Sequence, residues 1–213
     1  LALFGKEDET HKIEIAALND LKDGLDTVSA ERKSDEILKL FTAPNLKYSI
    51  FLMEKANISP KIFDAYDYES LSNLKKLEDR FEVSPCATRR LAAYTEDDLK
   101  SNLRFSNKLV KAHKVLREEA KSQKDAAELS YRYNEKIALD SILVRSSLNG
   151  TEPSENVFSR IKLGSVSKFP VKSSDLTEYF SGPKLGEMLV YLEQKWIESD
   201  FTLNKKKLLD SIR

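Results

Sequence analysis

Residues 182–201 read GPKLGEMLVYLEQKWIESDF, and the apolar positions Leu185, Met188, Leu189, Leu192 and Trp196 recur at steps of three and four. That spacing gathers them on one stripe of an α-helix, whereas a strand of the same letters would scatter them over both faces. Ser181 or Gly182 can cap the helix, and Pro183 suits its first position, where the missing N–H would have no intrahelical partner anyway. The stripe reads as core.

The same rhythm runs through the rest of the chain. Six glycines occur in 213 residues, and no segment alternates with period two between hairpin glycines. The expected fold class is all-α, an elongated multi-helix array. Periodicity, caps and breakers predict helices over 11–24, 29–42, 45–56, 59–66, 68–80, 84–94, 96–102, 106–121, 124–133, 135–148, 153–162, 174–180, 183–198 and 204–212. Breakers concentrate at "APN", 43–45, and in 149–170, and these joints divide the chain into 1–43, 44–148 and 149–213.

Thirty-five basic residues balance thirty-five acidic ones, so no whole-chain charge selects a nucleic acid or a membrane surface. Residues 1–28 nevertheless hold three basic and seven acidic side chains, while 100–145 hold eleven and six, so a polyanion partner is expected on the later half. No apolar run approaches the ~18 residues that span a bilayer, and no secretory leader is visible. No membrane partner and a cytoplasmic address are the expectation. The first residue is Leu1 and "LALFGKEDETHK" reads as the end of something apolar, so a piece of a longer protein is expected.

Few residues suggest chemistry. His11 and His113 lack a carboxylate, cysteine or second histidine at ligand spacing, and Cys86 has no partner thiol, so none is expected to hold a metal. Glycine-rich phosphate loops are absent. Asp64 with Asp67, and Asp97 with Asp98, lie in helical text, where carboxylates serve as partners of helix N-termini more often than as magnesium ligands. No catalytic residue is expected in this chain.

The segment "LRFSNKLVKAHKVLREEAKSQK", 103–124, is more informative. On a helical wheel Phe105, Leu109, Ala112, Leu116 and Ala120 share one side. Arg104, Lys108, Lys111, Lys114, Arg117, Lys121 and Lys124 spread over the other. Such a face either solubilises the helix or tracks RNA phosphates, each neutralised phosphate releasing a counterion. The start of the 183–198 helix offers free N–H groups, Lys184 and the small Gly186, an anion site in outline.

Several strings taken in order resemble one family, the bacterial CCA-adding enzymes and poly(A) polymerases, which extend RNA 3′ ends. "VSAERKSDEILKLFTAPNLKYSIFLMEKANI", 28–58, is similar to the segment that follows the family's catalytic head. "RRLAAY", 89–94, "LRFSNKLV", 103–110, and "YRYNEKIALDSIL", 131–143, resemble landmarks of its helical body. "FPVKSSDLTEYFSGPKLGEMLVYLEQKWIESDF", 169–201, resembles its tail.

The resemblance implies a neck remainder over 1–43, a body over 44–148 and a tail over 149–213. It implies that Ser29, Ala30, Glu31 and Arg32 match the neck element that braces the base-reading helix, with Lys33 where the family has an aliphatic residue. The family's glycine-rich turn with Asp-x-Asp, its Arg-Arg-Asp segment and its Glu-Asp-x-x-Arg helix do not occur between Leu1 and Arg213. Leu1 is therefore expected just past the base-reading helix, and this chain alone is expected to be inactive. Mg2+ with CTP and ATP is implied for the head, and no cofactor for this segment. The implied partners are tRNA or another structured RNA and the protein's own N-terminal head. Arg104, Lys108, Lys111 and Lys184 are the first candidates for phosphate contacts, with Gly186, Lys195 and Lys205 beside them. A non-catalytic helical scaffold that binds an acidic protein is the alternative.

Overall fold

The computed structural model describes residues 9–44, 46–100 and 103–212. Among the described residues there are eleven α-helices, three 310 turns and no strand, so the chain is all-α. In chain order they are α1 (Glu9–Leu21), a 310 turn (Lys22–Thr27), α2 (Ala30–Thr42), α3 (Leu46–Lys55), a 310 turn (Ser59–Lys61), α4 (Tyr68–Arg80) and α5 (Ala87–Tyr94). They continue with α6 (Asn107–Lys121), α7 (Ala126–Arg132), α8 (Glu135–Asn149), α9 (Val157–Val166), a 310 turn (Ser173–Asp175), α10 (Pro183–Glu198) and α11 (Lys205–Asp210).

Six helices start with one device, a side-chain oxygen that accepts an otherwise unpaired N–H of the first turn. Ser29 accepts from Arg32 in α2, Asp67 from Ser70 in α4, Ser106 from Leu109 in α6 and Asp125 from Glu128 in α7. Asn134 does so for Ile137 in α8 and Asn204 for Lys207 in α11. Gly150, at φ 62°, closes α8 in the left-handed conformation that glycine adopts without steric cost.

Several expected helices differ. The stretch expected helical over 59–66 shortens to the turn at 59–61, because Ser59 is fully buried there as the acceptor of the Tyr94 hydroxyl at 2.9 Å. The stretch over 174–180 likewise contains only the turn Ser173–Asp175. The helix expected over 96–102 is absent from its described residues, 96–100. Asp97 instead accepts the backbone N–H groups of Asp64 and Ala65 at 2.7 and 3.0 Å, and Thr95 donates its hydroxyl to Ala65 O at 2.6 Å. These bonds tie two loops together and win over a short helix that would be marginal alone.

The main core brings Ile37 and Phe41 of α2, Leu46 and Ile50 of α3, Leu71, Leu74 and Leu77 of α4, and Leu91 and Tyr94 of α5 into one cluster. At its edge lies a buried ionic network. Arg89 donates from Nε and Nη2 to Glu78 Oε1 at 3.1 and 2.7 Å, and from Nη1 to Asp140 Oδ1 at 2.6 Å. Arg90 donates from Nε to Glu78 Oε2 at 2.9 Å and from Nη1 to the carbonyls of Phe41 and Ala43, both at 3.0 Å. The network ties the C-terminus of α2 to α4, α5 and α8.

Packing runs on past residue 148. Val157 and Ile161 of α9 join Ala126, Leu129, Ala138 and Ile142 of α7 and α8. A separate cluster holds α10, with Leu185, Met188, Leu189, Leu192 and Trp196 packed against Leu176, Leu208 and the ring of Tyr131. Leu192 and Trp196 are buried, and Leu185, Met188 and Leu189 are half-buried against them.

Candidate nucleic-acid interface

The interface is built on α6 and its lead-in. Ser34, buried in α2, accepts the backbone N–H of Arg104 at 2.8 Å while donating to Ala30 O at 2.8 Å. The lead-in is thus fastened to α2, and Arg104 keeps a side chain 72% exposed, its Nε 3.9 Å from Glu31. Leu116, Ala120 and His113 turn α6 inward. Lys108 and Lys111 consequently face solvent, and among the described residues no carboxylate pairs with either.

The positive face is smaller than the wheel implied. Arg117 folds inward to donate to Ala92 O and to Glu96 at 2.9 and 2.8 Å, and Lys121 also pairs with Glu96 at 3.2 Å. The bonds and charges of Lys121 and Arg117 together hold the Glu96 carboxyl below its ordinary range. Lys124 is taken up by Glu119 at 2.7 Å, and Lys114 lies 3.8 Å from Glu118. A helical wheel assigns sides but not partners, and these four side chains find theirs on the protein. The cleft of about 480 Å³ between the 96–100 loop and α6 is lined in part by the paired groups Glu96, Lys114, Arg117, Glu118 and Lys121.

At the start of α2, Ser29 caps the helix, Glu31 reaches towards Arg104, and Arg32 is exposed. On α10, Gly182 is the cap residue at φ 57° and Pro183 the first helical residue. Lys184 is exposed, 4.0 Å from Glu187, and Gly186 faces open space. Lys195 lies over the ring of Tyr191, 5.2 Å from its centroid, whereas Lys205 is paired with Asp175 at 2.6 Å. The structure therefore places Lys108 and Lys111 on α6 with Arg104 in its lead-in, and Lys184, Gly186 and Lys195 on α10.

The remaining polar residues have structural roles. Asp67 caps α4, and Asp97 braces the turn at Asp64. His113 is buried with Nε2 3.0 Å from Thr95 O, and Cys86 is half-buried with its Sγ 3.4 Å from Lys136 Nζ. Glu193 accepts from the Tyr131 hydroxyl, and Asp200 from Arg160 at 2.6 Å. Among the described residues no three His, Cys, Asp or Glu side chains are arranged to hold a metal ion, and no helix is long and apolar enough to cross a membrane. Sequence reasoning missed Ser34 and the Arg89–Glu78–Arg90–Asp140 network. Their contacts join residues as much as 70 positions apart, and no local spacing announces them.

Residues 14–69 match the family described as "Probable RNA and SrmB- binding site of polymerase A". The matched segment runs from within α1 to the first turn of α4 and includes Ser29–Arg32 and Ser34. No curated protein matches the chain. Over those residues the match supports an RNA-binding segment of the polymerase A type.

Proposed function

From the polymerase A match over residues 14–69 we propose that this chain positions the acceptor stem and T arm of tRNA for 3′-end nucleotide addition by a separate head domain. The observation that carries the proposal is the union of Arg104 with α2. The basic row Arg104, Lys108 and Lys111 starts where the lead-in to α6 is bonded to Ser34, inside the matched segment. Duplex RNA is held through its shape and its phosphates, a task that cations on a helix and its anchored lead-in suit. Lys184, Gly186 and Lys195 on α10 would extend the grip.

In this reading Mg2+ with CTP or ATP is handled by the head, and the parent protein transfers CMP and AMP to an RNA 3′ hydroxyl. The residues of this chain bind and orient RNA. A titration with folded tRNA, set against an unstructured RNA of the same length, tests the proposal. Preference for tRNA is expected. Equal affinity for the two would remove tRNA positioning, and binding of neither would favour the helical scaffold with an acidic protein partner.

A further inference from the structure

One side of α10 carries an aromatic ring that the core does not use. Leu185, Met188, Leu189, Leu192 and Trp196 form the packed side, and bonds from the Tyr131 hydroxyl to Glu193 and from Arg132 Nη2 to Gln194, the latter at 2.9 Å, fasten the helix to α7. Tyr191 lies outside that stripe and is 47% exposed. Lys195, one turn further on, holds its Nζ 5.2 Å from the centroid of the Tyr191 ring, and among the described residues no carboxylate pairs with it. Lys184 is exposed in the first turn, 4.0 Å from Glu187. Lys184, Tyr191 and Lys195 follow one another at two turns and then one, so they share a strip of the helix roughly 16 Å long at about 1.5 Å per residue.

An open ring with an ammonium against it and a second cation on the same strip suits an unpaired nucleotide. The base lays its flat face on the ring, and the cations take the phosphates on either side. The cation–π contact with Lys195 also limits the motion of the ring before anything binds, so less order is lost when a base arrives. Bases inside a duplex are stacked on one another and out of reach, whereas bases in loops and at ends can be splayed out onto an aromatic side chain. We propose that Tyr191 is a stacking site for one unpaired base of the bound RNA, with Lys195 and Lys184 on the neighbouring phosphates. The site rests on the RNA-binding reading and deepens it: the α6 row meets phosphates alone, and α10 adds a contact with a base. Every base has a π-face, so the site selects unpaired over paired nucleotides and not one base over another.

Titration of the full chain with tRNA over a range of salt tests it. Tyr191→Ala should bind about tenfold more weakly with an unchanged salt slope, because a stacked base is lost and no phosphate contact goes with it. Tyr191→Phe keeps the ring and should bind like the unaltered chain, whereas Tyr191→Leu, apolar but without a flat π-face, should be as weak as the alanine variant. Lys195→Gln should lower the salt slope by about one. Val190→Ala is the control for general apolar contact, since Val190 is 67% exposed but stands about 100° around the helix from Tyr191, and its affinity should not change. Tm should be nearly the same for all five, because none of these side chains belongs to the packed stripe.

Unchanged affinity in Tyr191→Ala would overturn the stacking site and leave the α6 row standing. Full affinity in Tyr191→Leu would overturn it as well, since plain apolar burial would then account for the contact. Failure of the unaltered chain to bind any RNA would instead remove the RNA reading and the stacking site with it.

Discussion

Gly164 of α9 faces the carbonyl of Ala127 of α7 so closely that a Cβ built at position 164 would stand 2.0 Å from that oxygen and 2.8 Å from its carbon. The neighbour is backbone and cannot swing aside. Gly164→Ala should therefore force α9 away from α7 and destabilise the chain by about 1–3 kcal/mol or more. Urea unfolding read by circular dichroism checks this, and Gly186→Ala, where the added methyl meets open space within α10, should be neutral or slightly stabilising.

Glu78→Ala should be worse. It leaves Arg89 and Arg90 buried without the carboxylate they share, and loss of one partner from a buried ion pair costs about 3–5 kcal/mol. A fall of many degrees in Tm is expected. Replacement of either partner in the exposed pair between Lys39 and Glu36 should change Tm little, since solvent screens a surface pair and both side chains are hydrated without it.

His113 gives the protein an acid-sensitive step. Burial is the largest influence and holds its pKa below the ordinary histidine value, helped by Arg117 and opposed by backbone bonds to Thr95 and Leu91 and by Asp97. The unfolded chain then binds the proton more readily than the folded one. The stability that His113 contributes is full above about pH 6.5 and declines as pH falls below it towards the depressed folded value. His113→Gln should flatten the pH dependence of unfolding in that window, whereas a parallel curve for the variant would show that other groups carry it.

Charge reversal at Lys108 and Lys111 should weaken tRNA binding and reduce its salt dependence, since both side chains face solvent without a carboxylate partner among the described residues. Reversal at Lys121, which Glu96 already holds, should do less. Equal effects of the two changes in a filter-binding titration would remove the α6 row from the interface.

Trp196→Ala should loosen the tail selectively. Trp196 meets Tyr131, Phe169 and Phe201 at centroid distances of 5.4, 5.6 and 4.9 Å, and removal of such a side chain costs about 3–5 kcal/mol. Limited proteolysis should then release fragments from the C-terminal side of α9 before the rest of the chain is cut.

Much of this was legible along the chain because the information is local. The stripe from Leu185 to Trp196 depends on neighbours within a few residues, as does the proline start of α10. Where a distant partner offered a better bond, local reading failed: the 96–100 segment looked helical but is drawn out by Asp97, which holds the backbone of Asp64 and Ala65. The candidate face on α6 was half legible. Helical spacing says which side chains leave the core, and the chain's own carboxylates then decide which of those cations stay free.

By itself the sequence determined the all-α class, most helix starts and the core face of α10, since periodicity and capping act within one or two turns. Tertiary structure alone decided that Arg89 and Arg90 are buried ties rather than surface cations. It decided too that Arg117 and Lys124 turn back to protein partners, and that Arg104 is anchored to α2 through Ser34. The reason is physical: a charge takes its role from what it meets, and Arg89 meets Asp140, 51 positions further along the chain, only once the chain between them has folded.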